Sequence, residues 1–145
     1  MLSDYLKDNI QFVSAVSDWK EAINLAAQPL LKADIIEKSY IDAMINNVIE
    51  NGSYIIILPN IAMPHARFEY GSHGIGISFL NLSEPVVFPD GDSVYQFFVL
   101  AANSSDGHLE LISELAMLLS DVDIYNKILK VHTKEELINI IEENE

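Results

Sequence analysis

The chain has 145 residues, half of them hydrophobic, which is the size of one ordinary domain with enough apolar material for a proper core. A formal net charge of −14 makes nucleic acid and anionic lipid poor partners and favours a basic or mixed-charge protein instead. The absence of cysteine excludes disulfides, thiolate metal sites and a cysteine nucleophile on this chain.

No apolar run approaches the roughly 20 residues that cross a bilayer, and no basic region followed by an apolar stretch opens the sequence. A soluble, cytoplasmic protein with no direct membrane insertion is expected. Residues 1–9 read as a short amphipathic opening and residues 10–13 as a brief strand. Ser17 is a fitting helix N-cap, with Asp18 and Glu21 well placed against the positive end of the helix dipole. Trp19, Ile23, Ala26, Ala27 and Leu30 then recur at helical spacing and define one buried stripe, so the Trp belongs to the core. A second helix is predicted over 39–50, with Ile41, Met44, Ile45, Val48 and Ile49 inward and Asn51-Gly52 as its stop.

Residues 54–67 organise the rest. Apolar, strand-favouring residues run up to Pro59, a second extended piece follows, and Met63-Pro64 delivers His65 into a loop with Arg67 two residues on. Each proline removes a backbone donor and keeps the residue before it out of the helical region, so the pair stiffens the path to His65. Loops held by a rigid scaffold are where reactive side chains concentrate.

Beyond a loop at 68–72, residues 74–80 alternate Ile75, Ile77 and Phe79 on one face of a strand. Residues 86–88 form a short extended piece and 89–92 a tight turn, lacking the spaced carboxylates and closing Glu of a calcium loop. Gly71, Gly74 and Gly76 do not match a dinucleotide fingerprint, since their order is wrong and no helix follows. The nearly continuous apolar run 94–102 is predicted to be a strand covered on both faces. A loop at 103–108 precedes a helix with Leu111, Ile112, Leu115, Ala116, Leu118 and Leu119 as its apolar face, for which Asp106 is the expected N-cap. A short helix is predicted over 124–129. Thr133 and Glu136 form a capping box for a last helix with Leu137, Ile138 and Ile141 inward and a solvated acidic end. Helices before, between and after strands, with no linker or repeat, define a single-domain α/β sandwich over 1–145: a mixed β-sheet flanked by helices on both faces.

The run PNIAMPHAR at 59–67 resembles the active-site signature of the type 2, mannitol/fructose-like IIA domains of the bacterial phosphoenolpyruvate-dependent sugar phosphotransferase system. The Ala-Met-Pro-His form followed by Arg67 is most like the ascorbate-specific branch, and the likeness covers nearly the whole chain. The resemblance implies the same sandwich fold and a phosphotransferase component with a phosphohistidine intermediate, needing no metal and no cofactor. It implies that His65 accepts a phosphoryl group from the phosphocarrier HPr. The group then passes to a cysteine of a IIB component, which serves a IIC permease. A second family histidine matches His108, expected to stabilise the phosphoryl group. Many relatives carry an arginine where alignment on Ala43-Met44 places Asn47; Asn47 adds no positive charge, so compensation falls to Arg67 or to the partner.

Phosphoryl transfer requires a neutral imidazole whose second nitrogen is fixed by a hydrogen bond, together with donors aimed at the three phosphoryl oxygens. A helix start before His108 would disfavour an imidazolium there and attract an anion. Other readings of the same residues are a regulatory module acting by phosphorylation-dependent protein binding, and a metal enzyme built on His65, His73, His108 and Asp106. A serine hydrolase on Ser104 or Ser105 with His108 lacks the nucleophile elbow.

Overall fold

Strand-favouring runs separated by helical stripes fold into one five-stranded sheet, ordered β1-β4-β5-β3-β2, in a computed structural model that describes residues 2–145. Strand β1 (Ile10–Val13) runs parallel to β4 (Gly76–Val87), and β4 runs antiparallel to β5 (Ser93–Ala101). On the other side of β5 lies β3 (Asn60–Ala62), parallel to it, with β2 (Ile56–Leu58) antiparallel at the edge. The mixed sheet between helices expected from the sequence is the observed fold.

Helices α2 (Trp19–Lys32) and α3 (Lys38–Asn51) cover one face. Helices α1 (Leu2–Leu6), α4 (Ser105–Leu119), α5 (Val122–Leu129) and α6 (Lys134–Asn144) cover the other. Strand β5 explains why its sequence is apolar without alternation: Phe97 and Val99 enter the α2/α3 core, whereas Phe98 and Leu100 enter the opposite one. None of the helices among the described residues is long and apolar enough to cross a membrane.

Several boundaries move. Asp18, not Ser17, caps α2 by accepting from the Glu21 amide at 2.9 Å. Pro29 sits inside α2 and cannot donate to the Leu25 carbonyl; Gln11 Nε2 donates to that oxygen instead, at 2.8 Å. The stripe on α3 is rotated from the predicted one. Tyr40, Ile41, Met44 and Val48 are buried, Ile45 is half-buried, and Ile49 is 56% exposed. Gly52, at a φ of 82°, ends α3 as the sequence implied.

Strand β4 joins two predicted pieces, 74–80 and 86–88, into one. Its pairing with β5 breaks between Asn81 and Val86, so Pro85 meets no ladder that needs its missing donor. Ile75 lies outside the strand and is exposed. The 68–72 loop contains a 3₁₀ turn, Phe68–Tyr70. Helix α4 starts earlier than predicted, capped by Ser104 accepting from the Gly107 amide at 3.0 Å, and its Ala116 faces solvent. Helix α5 also starts earlier, under an Asp121 cap, while Thr133 caps α6 as expected. The acidic end is not merely solvated: Glu145 accepts from both the Ser3 amide and the Ser3 hydroxyl.

Candidate functional site

Parallel strands β3 and β5 end side by side, and the two histidines of interest follow their carboxyl ends, His65 after β3 and His108 on the helix after β5. That edge of an open α/β sheet is where ligands usually meet the chain. Past Ala62 the backbone still tracks its neighbours: the Met63 amide donates to the Ile55 carbonyl at 2.8 Å, and the Leu100 amide donates to the Pro64 carbonyl at 3.1 Å. Pro64 has no amide of its own to satisfy. His65 is therefore delivered from a segment pinned on both sides.

The His65 Nδ1–H donates to the Met63 carbonyl at 2.7 Å. A carbonyl can only accept, so Nδ1 carries the proton and Nε2 keeps its lone pair. Burial lowers the pKa of His65 below the ordinary imidazole value, outweighing the Met63 carbonyl, which raises it. The ring is neutral and oriented, and a nitrogen so presented can act as a nucleophile.

Its ring neighbours are His108, with centroids 4.9 Å apart at 78°, and Tyr54, at 5.7 Å and 88°. The sequence placed His108 in the first helical turn, kept neutral by free amides. With Ser104 as cap it sits in the second turn, and its own amide donates to the Ser104 carbonyl at 3.1 Å. Its neutrality has another cause: burial first, and then the nearby His65, push it down to about 4. The His108 Nε2 is buried and has no hydrogen-bond partner among the described residues, a polar atom at the site whose bonding capacity is unspent.

Arg67 and His108 line one open cleft of about 260 Å³, together with Phe68, Glu69, Ser105 and Leu109. The Arg67 side chain is 75% exposed and its Nη2 donates to Glu69 at 2.7 Å, so its charge is engaged but reachable. Asn47 meets the site at one remove, beside the Tyr54 hydroxyl, whose pKa burial raises and Asn47 lowers. His73 is held elsewhere, by Glu37 at 2.7 Å, and among the described residues no three His, Asp or Glu side chains gather as metal ligands. The Ser104 oxygen is occupied as a cap.

Sequence reasoning missed Tyr40. It is fully buried on α3, and its hydroxyl donates to the Leu100 carbonyl at 2.7 Å and accepts from the Ala66 amide at 3.1 Å. The spacing Tyr40, Met44, Val48 was the available signal, because it continues the buried face one turn upstream.

An α/β sandwich that offers a neutral imidazole at an open rim has the build of a phosphoryl carrier, whose business is with other proteins. Residues 5–144 match the family described as Phosphoenolpyruvate-dependent sugar phosphotransferase system, EIIA 2, and the chain belongs to it as a phosphotransferase component. It is 35% identical over 142 residues to the mannitol-specific cryptic phosphotransferase enzyme IIA component of Escherichia coli K12, covering 97% of each chain. The solution structure of that enzyme IIA aligns at a TM-score of 0.91 with 34% identity, over 99% of each chain. The ascorbate-specific EIIA component of E. coli K12 is 30% identical over 146 residues, covering 97% of this chain and 95% of that one. The E. coli enzyme IIA of the mannitol system, solved in complex with its phosphorylated enzyme IIB, shares the fold at a TM-score of 0.80 and 21% identity, over 94% and 96% of the two chains.

Proposed function

We propose that His65 is the residue on which this component carries its phosphoryl group, received from phosphorylated HPr and passed to a cysteine of a IIB component. The observation that carries this reading is the Nδ1–H bond to Met63, which leaves a neutral Nε2 as the attacking atom. In the first step the Nε2–P bond forms as the bond from phosphorus to the donor imidazole breaks, and no proton has to leave Nε2. In the second, the cysteine thiolate attacks phosphorus and Nε2 recovers its lone pair. The bound group is held by donors: a neutral His108 can present Nε2–H, and Arg67 can turn from Glu69 to the anion. Charge-assisted contacts of that kind are roughly twice as strong as neutral ones. Asn47 supports the site through Tyr54 and contributes no charge.

A IIB partner is favoured by the complex known for the mannitol-system relative. The acidic chain suits a donor with basic character, since complementary charge speeds transient encounters. The role belongs in the cytoplasm, where phosphoenolpyruvate is made. An ascorbate-type system fits Arg67 after the Ala-Met-Pro-His run, and a IIC permease rather than this domain meets the sugar. Incubation with phosphoenolpyruvate, Enzyme I and HPr should add the mass of one phosphoryl group. His65→Ala should abolish the gain, and a variant that still acquires it would exclude His65.

A further inference from the structure

The geometry points to Tyr40 as the positioning residue for His65, a role that rests on the proposed function of that histidine. Its hydroxyl lies where two backbone segments meet. It accepts from the Ala66 amide at 3.1 Å, immediately after His65, and donates at 2.7 Å to the carbonyl of Leu100, the penultimate residue of β5. The Leu100 amide in turn holds the Pro64 carbonyl, immediately before His65, at 3.1 Å. Both peptides flanking the histidine are thus tied to one residue of β5, one directly and the other through Tyr40. The bond that selects the His65 tautomer, from Nδ1–H to the Met63 carbonyl, spans the same short segment. If residue 66 is released, the peptide that follows His65 is free to rotate and that bond loses its fixed geometry.

The hydroxyl can do this because it cannot do anything else. It is wholly enclosed by the α2/α3 core, and burial pushes its pKa up to about 12, against the pull of its Ala66 contact, so it stays protonated and keeps both its donor and its acceptor. A phenylalanine would fill the same space and leave the Ala66 amide and the Leu100 carbonyl unpaired. Tyr40 touches no reacting atom and acts only through the backbone around His65.

The test compares Tyr40→Phe with Ser78→Ala. Ser78 is equally buried and its hydroxyl donates to the Ala26 carbonyl at 2.6 Å, so its loss controls for removal of a buried hydrogen bond outside the site. Three quantities are read: thermal midpoint, rate of phosphorylation by phosphorylated HPr, and the ¹⁵N shifts of the His65 ring, which report the tautomer. Tyr40→Phe should slow phosphorylation about tenfold, the rate equivalent of roughly one hydrogen bond, and should move the ring shifts from one tautomer towards a mixture. Ser78→Ala should lower the midpoint while leaving rate and ring shifts as in the wild type. Wild-type rate and shifts in Tyr40→Phe would overturn the assignment, as would an equal slowing in Ser78→Ala. Should Tyr40→Phe fail to fold, amide exchange in the unaltered protein decides: the Ala66 amide should be protected like that of Leu100, and a freely exchanging Ala66 amide overturns the clasp. Absence of phosphate on His65 in the wild type would instead remove the proposed function, while tautomer and exchange data would still judge Tyr40.

Discussion

A pair of neutral imidazoles facing each other responds to protons in a way that free histidines do not. His65 should titrate below the ordinary 6.5 in the free protein and His108 near 4. If His65 is phosphorylated as proposed, an anion arrives beside His108 and favours its charged form, so the His108 midpoint should climb. An NMR titration before and after phosphorylation reads both; a His108 midpoint that does not move would place it away from the phosphoryl group. The same shift links to stability. Between pH 6.5 and about 4 an unfolded chain takes up a proton that the folded His108 refuses, so folding weakens as pH falls through that window. In His108→Gln the fall in denaturation midpoint between pH 6.5 and 5 should be shallower than in the wild type. The proline bracket placed His65 in a stiffened loop, but its proposed role as the reactive residue rests on the likeness of the run at 59–67 to the family signature. That the carbonyl partner of His65 would be Met63 was not legible, because a contact two residues away depends on torsions that sequence pattern does not specify.

Helix α3 shows where pattern reading stops at the level of one element. Its apolar residues at 41, 44, 45, 48 and 49 allow two stripes differing by a small rotation, and the hydroxyl of Tyr40 hid it from the core reading. Packing resolved the choice towards Tyr40, Met44 and Val48 because the Tyr40 hydroxyl finds partners at the sheet. Met44→Ala should therefore cost about 2–5 kcal/mol, and Ile49→Ala, at 56% exposure, less than about 0.5 kcal/mol. Urea midpoints of the two variants check this, and equal losses would restore the predicted stripe. Cap positions slipped for a related reason. Asn103, Ser104, Ser105 and Asp106 are all competent N-caps in a row, and α4 uses the second.

Across the whole molecule, composition and alternation were enough to read a sandwich, since β5 could only be a strand buried on both faces. Which helix takes which face was not readable. That depends on crossovers such as the one from β1 through α2 and α3 to the β2–β3 edge, and no local period encodes their direction. The two cores that result meet at β5, and the site lies at the rim where both cores end: Ala66 belongs to one and Met63 to the other. His65 is thus anchored to two packed layers at once.

The order of the strands also sets a timetable. Strands β4 and β5 pair antiparallel across a short turn, so their contacts close a small loop, whereas β3 must reach β5 in parallel across the whole of β4. Non-local pairing carries the larger loop-closure entropy and is made later. The hairpin should thus nucleate folding and the edge that bears His65 should dock afterwards, leaving the proposed site unassembled until the last step. Val99→Ala, in the hairpin, should then mainly slow folding, and Ile61→Val, on β3, should mainly speed unfolding. Stopped-flow kinetics showing the opposite partition would mean that the edge bearing His65 is built first.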